Sequence, residues 1–273
     1  MIMRAARSTP STQEIEMKQT RRHFLATATA GASTITLLPF AARAAAHASD
    51  SFDTAAGKIT VHPVAHASFV METPKGTIYV DPVGDATLYD GFPDADLILV
   101  THEHGDHYND ETLTALAKDG TTIITNPAVM GKLSAPLKAK AGEVANGGVA
   151  DYQGLKIDAI PAYNITEERK NFHPQGRDNG YVLNFDGFRI YISGDTEDTP
   201  EMRALTDIDL AFVCMNLPFT MDANSAASAV SEFAPRFVYP YHYRGRDGGT
   251  QDPEAFAKML GGDTEVRYAP WYG

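Results

Sequence analysis

The sequence predicts an α/β domain, α+β in its layering, in which two β-sheets pack face to face with helices outside. Three observations predict it. From residue 58 onward, short apolar runs of strand character alternate with Gly, Asp and Pro turns. Helical patterns interrupt them at 110–118, 128–137, 225–233 and 253–260. The chain falls into two roughly equal halves, each β-rich at first and helix-bearing afterwards, an arrangement that buries two sheet faces against one another.

Taken in order, residues 59–61, 69–71, 77–80 and 97–100 open a β meander, each run rich in β-branched or aromatic residues. The four helical segments each start near an Asn, Asp or Ser that can accept from the first free backbone amides. In the second half, 156–160, 181–184, 189–193, 210–215, 237–241 and 266–268 read as strands. No Pro- or Ser-rich linker divides the halves and no repeat of matching side chains relates them, so residues 49–273 are predicted to form one domain.

The first 50 residues read differently. Thr20-Arg21-Arg22-His23-Phe24-Leu25 precedes a weakly apolar, Ala/Thr-rich run to Phe40, the pattern of a targeting peptide. The paired arginines resemble a twin-arginine export signal, and Ala44-Ala45-Ala46 or Ala46-His47-Ala48 would serve as its cleavage site. Residues 1–48 are therefore expected to be removed, with Met17 as an alternative start. The run 26–42 is too short and too rich in Thr, Gly and Ala to anchor the chain in a bilayer. That resemblance implies passage through the twin-arginine machinery, which carries folded and often cofactor-loaded proteins, and a soluble periplasmic or secreted product.

Loss of residues 1–46 removes six of the 23 basic and two of the 35 acidic residues, leaving 17 against 33 and a net charge of −16. Such a surface repels phosphate backbones and anionic lipid, which disfavours nucleic acid and stable membrane association and leaves small molecules as expected substrates. Cys214 is the only cysteine, so no internal disulfide can form. Its place in the apolar run 210–215 reads as a buried strand thiol rather than a nucleophile.

The run Asp96-Leu97-Ile98-Leu99-Val100 ends where Thr101-His102-Glu103-His104-Gly105-Asp106-His107 begins, and ligands collect at strand ends. His102 and His104 can point the same way from an extended backbone, and Gly105 is expected to allow the turn that returns Asp106 and His107 toward them. Three of the nine histidines fall within six residues, a concentration that a solvated loop explains poorly. Imidazole and carboxylate suit a divalent metal, zinc first and manganese or iron after it, whereas calcium wants mostly oxygen.

H-x-H-x-D-H after a strand resembles the motif of the metallo-β-lactamase superfamily, and further landmarks follow in order. Gly194-Asp195-Thr196 follows the strand at 189–193, and the resemblance implies that Asp195 bridges two metals. Tyr239-Pro240-Tyr241-His242-Tyr243 follows another, and His242 resembles the last ligand of the second metal, beside Asp106 and His107. His66-Ala67-Ser68-Phe69 and Pro161-Ala162-Tyr163-Asn164 are similar to the group containing ascorbate-6-phosphate lactonase-like hydrolases. The resemblance covers nearly all of residues 58–273 and implies a four-layer αββα sandwich, the metallo-β-lactamase fold, with the site along one edge of the sheets.

One departure bears on metal count: Asn164 stands where many relatives carry a histidine that completes the first site beside His102 and His104. Either water, His66 or His173 completes it, or the working form holds a single ion at Asp106, His107 and His242. His66 is read as contacting metal or substrate, and His173, in a long polar loop, as a substrate contact or a surface residue. His62 reads as structural, and Asp81, closing a strand before Pro82, as the carboxylate that orients a ligand histidine.

Metal lowers the pKa of bound water from about 15.7 to about 7, so hydrolysis by a metal-held hydroxide is the expected chemistry. Asp106 and His66 are the expected catalytic side chains, and Tyr163, Tyr241, Tyr243 and Arg244 are candidates for holding the substrate. The expected activity is hydrolysis of a small ester, lactone or phosphoester. The alternatives are a β-lactamase-like amide hydrolase and a catalytically silent metal or ligand binder of the same fold. A flavin-associated di-iron role is disfavoured because those relatives carry a carboxylate where this chain has His104.

Overall fold

The meander predicted from apolar alternation is present in a computed structural model that describes residues 49–272. The predicted signal segment, 1–48, lies outside the described residues. The first sheet runs β1 (Asp50–Thr54), β2 (Gly57–Ala65), β3 (Ser68–Thr73), β4 (Gly76–Val80), β5 (Leu97–Val100), β6 (Thr122–Thr125), β7 (Ala141–Glu143). The second runs β8 (Val149–Tyr152), β9 (Leu155–Ala162), β10 (Asp178–Phe185), β11 (Phe188–Ile192), β12 (Leu210–Cys214), β13 (Phe237–Tyr241), β14 (Glu265–Val266). Each sheet begins as four antiparallel strands and continues with three parallel ones, so the halves match in topology although their side chains do not.

Strand periodicity of two sorts the apolar side chains between layers. Ile78, Val80, Leu97 and Leu99 join Tyr181, Leu183, Ile192 and Phe212 of the second sheet in the central core, where Phe69 and Phe212 stack at 4.2 Å. Tyr79, Ile98 and Val100 point the other way, onto Leu113 of α1 (Asp110–Leu116), Val129 of α2 (Pro127–Lys132) and Leu137 of α3 (Ala135–Lys138). After α4 (Pro200–Arg203), α5 (Ala223–Phe233) covers the second sheet, with Phe233 edge-on to Tyr191, and α6 (Pro253–Met259) packs beside it. The result is the αββα sandwich.

The helix predicted over 128–137 is two helices, because Pro136 has no amide with which to continue the ladder to Lys132 and its ring would meet that carbonyl. The strand predicted at 266–268 is two residues long, and β1, β6, β7, β8 and α4 are additions to the sequence reading. Among the described residues no helix is long and apolar enough to cross a membrane.

Candidate metal centre

Four strands of the two sheets deliver side chains to one edge. Asp81 follows β4, residues 101–107 follow β5, Asp195 follows β11 and His242 follows β13. The β2–β3 turn adds His66, and the loop between β9 and β10 adds His173. His66, Asp81 and His242 all sit at positive φ, +54°, +43° and +46°, a left-handed geometry that non-glycine residues adopt rarely and that concentrates at functional sites. Gly194 is also left-handed at +59°, and a Cβ there would lie 2.9 Å from Asn179 O and 3.0 Å from Thr101 Cβ, so glycine lets Asp195 approach the β5 loop. Gly105 departs from the expectation: its φ is not positive and a Cβ would meet nothing, so the turn does not require glycine there.

Donor bookkeeping sets the imidazole tautomers. Asp81 Oδ1 accepts Thr101 N at 2.7 Å, while Oδ2 accepts the Thr101 hydroxyl at 2.7 Å and His107 Nδ1 at 2.8 Å. With its proton committed to Asp81, the Thr101 hydroxyl accepts from His102 Nδ1 at 3.0 Å. His173 Nδ1 donates to Asp178 Oδ2 at 3.0 Å. In their neutral forms His102, His107 and His173 therefore carry the lone pair on Nε2. Together with His242 Nε2 and Asp195 Oδ1 these three Nε2 atoms are buried without a hydrogen-bond partner, five such atoms at one edge.

Buried polar atoms are almost always satisfied, so five unpartnered nitrogen and oxygen atoms converging on one place fit a cation they could ligate. Three groups of side chains hold their ligand atoms within 4.8 Å of one another: His102, His104, His173; His102, His107, Asp195; and His66, Asp106, His242. Asp195 Oδ1 lies 3.3 Å from His107 Nε2 and 3.2 Å from His242 Nε2, and its Oδ2 lies 3.5 Å from His173 Nε2. It thus sits between the groups. Asp106 Oδ2 is 3.5 Å from His242 Nε2 and 3.4 Å from His66 Nε2.

Electrostatics separates the histidines into two kinds. Burial pushes His102 well below 6.5, and burial followed by His173 and Arg177 lowers His104, so both favour the neutral, ligating form. Burial lowers His107 too, but Asp195 and Asp81 outweigh it and hold this imidazole well above 6.5. His173 and His242 are likewise raised once Asp178, Asp195 and Asp106 overcome desolvation. Burial would raise Asp195, yet His242 and His107 hold its carboxyl well below the usual range.

Residues 60–242 match the family described as the Beta-lactamase superfamily domain. This chain belongs to the β-lactamase superfamily. Among superfamily relatives, a UPF0173 metal-dependent hydrolase of Thermococcus onnurineus is 35% identical over 177 residues, 63% of this chain and 78% of that protein. A UPF0173 metal-dependent hydrolase of Pyrococcus abyssi is 32% identical over 179 residues, 64% and 78% of the two chains. A crystal structure described as a metal-dependent hydrolase from Parabacteroides distasonis superposes with a TM-score of 0.73 at 41% identity, covering 82% of this chain and 98% of that one. Igni18, a metallo hydrolase of Ignicoccus hospitalis, shares the fold at TM-score 0.62 and 22% identity, over 77% and 94% of the chains.

Within this superfamily member, His102, His104, Asp106, His107, Asp195 and His242, the residues named from the motifs, fall among the three groups of ligand atoms. His173 joins them, while Asn164, named as a first-site ligand or substrate contact, turns the NH2 of its amide to Arg169 O at 2.9 Å and Phe219 O at 2.7 Å and leaves its Oδ1 buried without a partner. Its backbone amide donates to His173 O at 2.8 Å, so Asn164 braces the loop that presents His173. Tyr241, named as a substrate contact, is fully buried among Phe69, Phe212 and Trp271, and Tyr163 is buried with its hydroxyl donating to Glu201. Tyr241 is a packing residue, while Tyr163 also lines a surface pocket with Asn164, Ile165 and Pro174. Tyr243 and Arg244 pack on Tyr272 instead.

Asp81 orients His107, as expected, and Cys214 is buried with its thiol pushed up to about 12. His62 pairs with Glu72 at 2.9 Å on the strand surface. Thr101, Arg177, Asp178 and Asn216 lie against site histidines without having been singled out. Only proximity to the ligand motifs could have flagged Thr101; Arg177 and Asn216 are distant in sequence from His104 and His242, and Asp178, at the start of β10, lies five residues from His173 with no motif to mark the pair.

Proposed function

We propose that this metal-dependent hydrolase of the β-lactamase superfamily cleaves a small ester, lactone or phosphoester at the edge site, after export from the cytoplasm. The observation that carries this reading is the set of five buried, unpartnered ligand atoms on His102, His107, His173, His242 and Asp195. His102, His104 and His173 would hold one ion and Asp106, His107 and His242 a second, with Asp195 between them. Zinc suits this nitrogen-rich donor set, with manganese or iron as substitutes. A divalent ion bound there would acidify a water and polarise the substrate carbonyl or phosphoryl oxygen.

The chain's own residues supply the rest. Asp81, Thr101 and Asp178 keep three imidazoles in the tautomer that offers Nε2 to the centre. Asp106, with its side chain 48% exposed, and half-buried His66 form the solvent-facing rim where substrate would enter. The His66-Ala67-Ser68-Phe69 turn and the Pro161-to-Asn164 segment support the lactonase-like branch as the source of the substrate class. Twin arginines Arg21-Arg22 support passage through the twin-arginine machinery to the periplasm.

Elemental mass spectrometry of protein beginning at residue 49, with hydrolysis of 4-nitrophenyl esters, lactones and bis(4-nitrophenyl) phosphate, tests the chemistry. Two metal equivalents are expected, with loss in Asp195→Ala and His242→Ala and activity down at least about 100-fold; a wild type that binds no metal would overturn it. Export is tested by Arg21→Lys/Arg22→Lys, which should leave full-length precursor in the cytoplasm. Processing that proceeds unchanged would sink the twin-arginine reading.

A further inference from the structure

The histidines around the centre differ in what stands behind them. His102, His107 and His173 each have an acceptor at Nδ1, which sets the lone pair on Nε2, and His242 Nδ1 faces the Asn216 side-chain amide at 3.3 Å, a group that offers either an oxygen or an NH2. His66 has a hydroxyl behind it: Nδ1 lies 2.9 Å from Tyr272 Oη. That oxygen already accepts Arg244 N at 3.1 Å, a group that can only donate, which leaves the phenol proton free to go to His66. A phenol that donates to Nδ1 makes Nδ1 an acceptor and puts the ring proton on Nε2, the atom 3.4 Å from Asp106 Oδ2.

We propose that Tyr272 is a positioning residue, whose hydroxyl fixes His66 in the Nε2–H tautomer, so that His66 acts at the hydrolytic centre as a hydrogen-bond donor and not as a metal ligand. The inference rests on the hydrolase reading above. Its geometry is held at both ends. Trp271 is 2% exposed, packed edge-on against Phe69 and Phe212, and its carbonyl accepts His66 N at 2.9 Å, which secures the left-handed turn that aims the ring. Tyr272 packs against Tyr243 at 4.9 Å and lies under the Arg244 guanidinium at 4.3 Å, two residues beyond His242.

The segment after β14 thereby ties the β2–β3 turn to the β13 loop, and both loops deliver side chains to the same centre. From its place beside Asp106 the Nε2–H can donate to that carboxylate, or turn its one proton to an oxygen of the bound substrate as negative charge develops there. No proton is transferred in this role. His66 stays neutral, and its contribution is orientation and charge stabilisation.

The test uses zinc-loaded protein beginning at residue 49, in the wild type, Tyr272→Phe, His66→Ala and the double variant. Tyr272→Phe keeps the ring and deletes only the hydroxyl. Imidazole 15N shifts are expected to show His66 protonated at Nε2 in the wild type and mixed between Nδ1 and Nε2 in Tyr272→Phe, with two zinc equivalents retained in every variant. On bis(4-nitrophenyl) phosphate, kcat should fall about tenfold in Tyr272→Phe with KM unchanged, and the double variant should lose no more than His66→Ala alone. A metal-coordinated Nε2 shift in the wild type, or loss of one zinc in His66→Ala, would make His66 a ligand and overturn the proposal. An unchanged tautomer in Tyr272→Phe would overturn it equally. If no tested substrate is cleaved the hydrolase reading suffers, while the 15N and zinc measurements still decide the tautomer.

Discussion

Asp178 is fully buried and serves two neighbours at once: Oδ2 takes the Nδ1 proton of His173, and Arg177 donates to both oxygens at 2.7 and 2.9 Å. It therefore does for His173 what Asp81 does for His107. Carboxylates that hold a ligand imidazole typically support 10- to 100-fold of metal affinity. Asp178→Ala is accordingly expected to weaken one of the two zinc equivalents by about 10- to 100-fold in calorimetric titration, leaving the other unchanged. Zinc affinity unchanged from the wild type at both sites would refute the role of His173 in the centre. At this scale the hexapeptide from His102 to His107 was legible because its ligands are neighbours in sequence, and Asp195 and His242 because each closes an apolar strand. His173 was undecided, since nothing in its loop shows which way the ring turns.

The loop between β9 and β10, which carries His173, is held at its start by one buried side chain. Glu197, 1% exposed, accepts Ile165 N and Thr166 N at 2.6 Å each and Arg169 Nε at 2.5 Å. A carboxylate that takes three donors cannot be replaced by an amide without turning one donor against an NH2 group. Glu197→Gln is expected to speed amide hydrogen exchange across residues 163–177 and to lower zinc affinity at the His102–His104–His173 group, with the fold and the second group intact. Exchange unchanged in that loop would show that Asn164 alone suffices to brace it. The short strands β1, β6, β7 and β8 escaped the sequence reading because three to five residues carry too little alternation to distinguish a strand from a turn. Their pairing supplies what their composition lacks.

Across the whole molecule, two classes of histidine give the metal-free protein a stability optimum. His66, His102 and His104 have folded pKa values below 6.5, so their contribution is present above pH 6.5 and is lost as pH falls toward the folded values. His107, His173 and His242 have values above 6.5, so theirs is present below pH 6.5 and is lost as pH rises through the folded values. The melting temperature of metal-free protein should therefore peak near pH 6.5 and fall on both sides. Zinc needs every ligating imidazole neutral, so the rise in melting temperature on zinc addition should grow from pH 6 to pH 8. An increment that shrinks over that range would contradict the site.

The sequence by itself determined the layered sandwich and the strand ends at which His102, His104, Asp106, His107, Asp195 and His242 stand, because periodicity and short motifs are local and each is written in consecutive residues. Tertiary structure alone placed His173 beside His102 and His104, turned the Asn164 NH2 onto the backbone of its neighbours, put Tyr241 in the core and set Tyr272 behind His66. Those outcomes depend on groups as far as 206 residues apart meeting across two sheets, and a hydrogen bond's direction is set by what else each partner already binds.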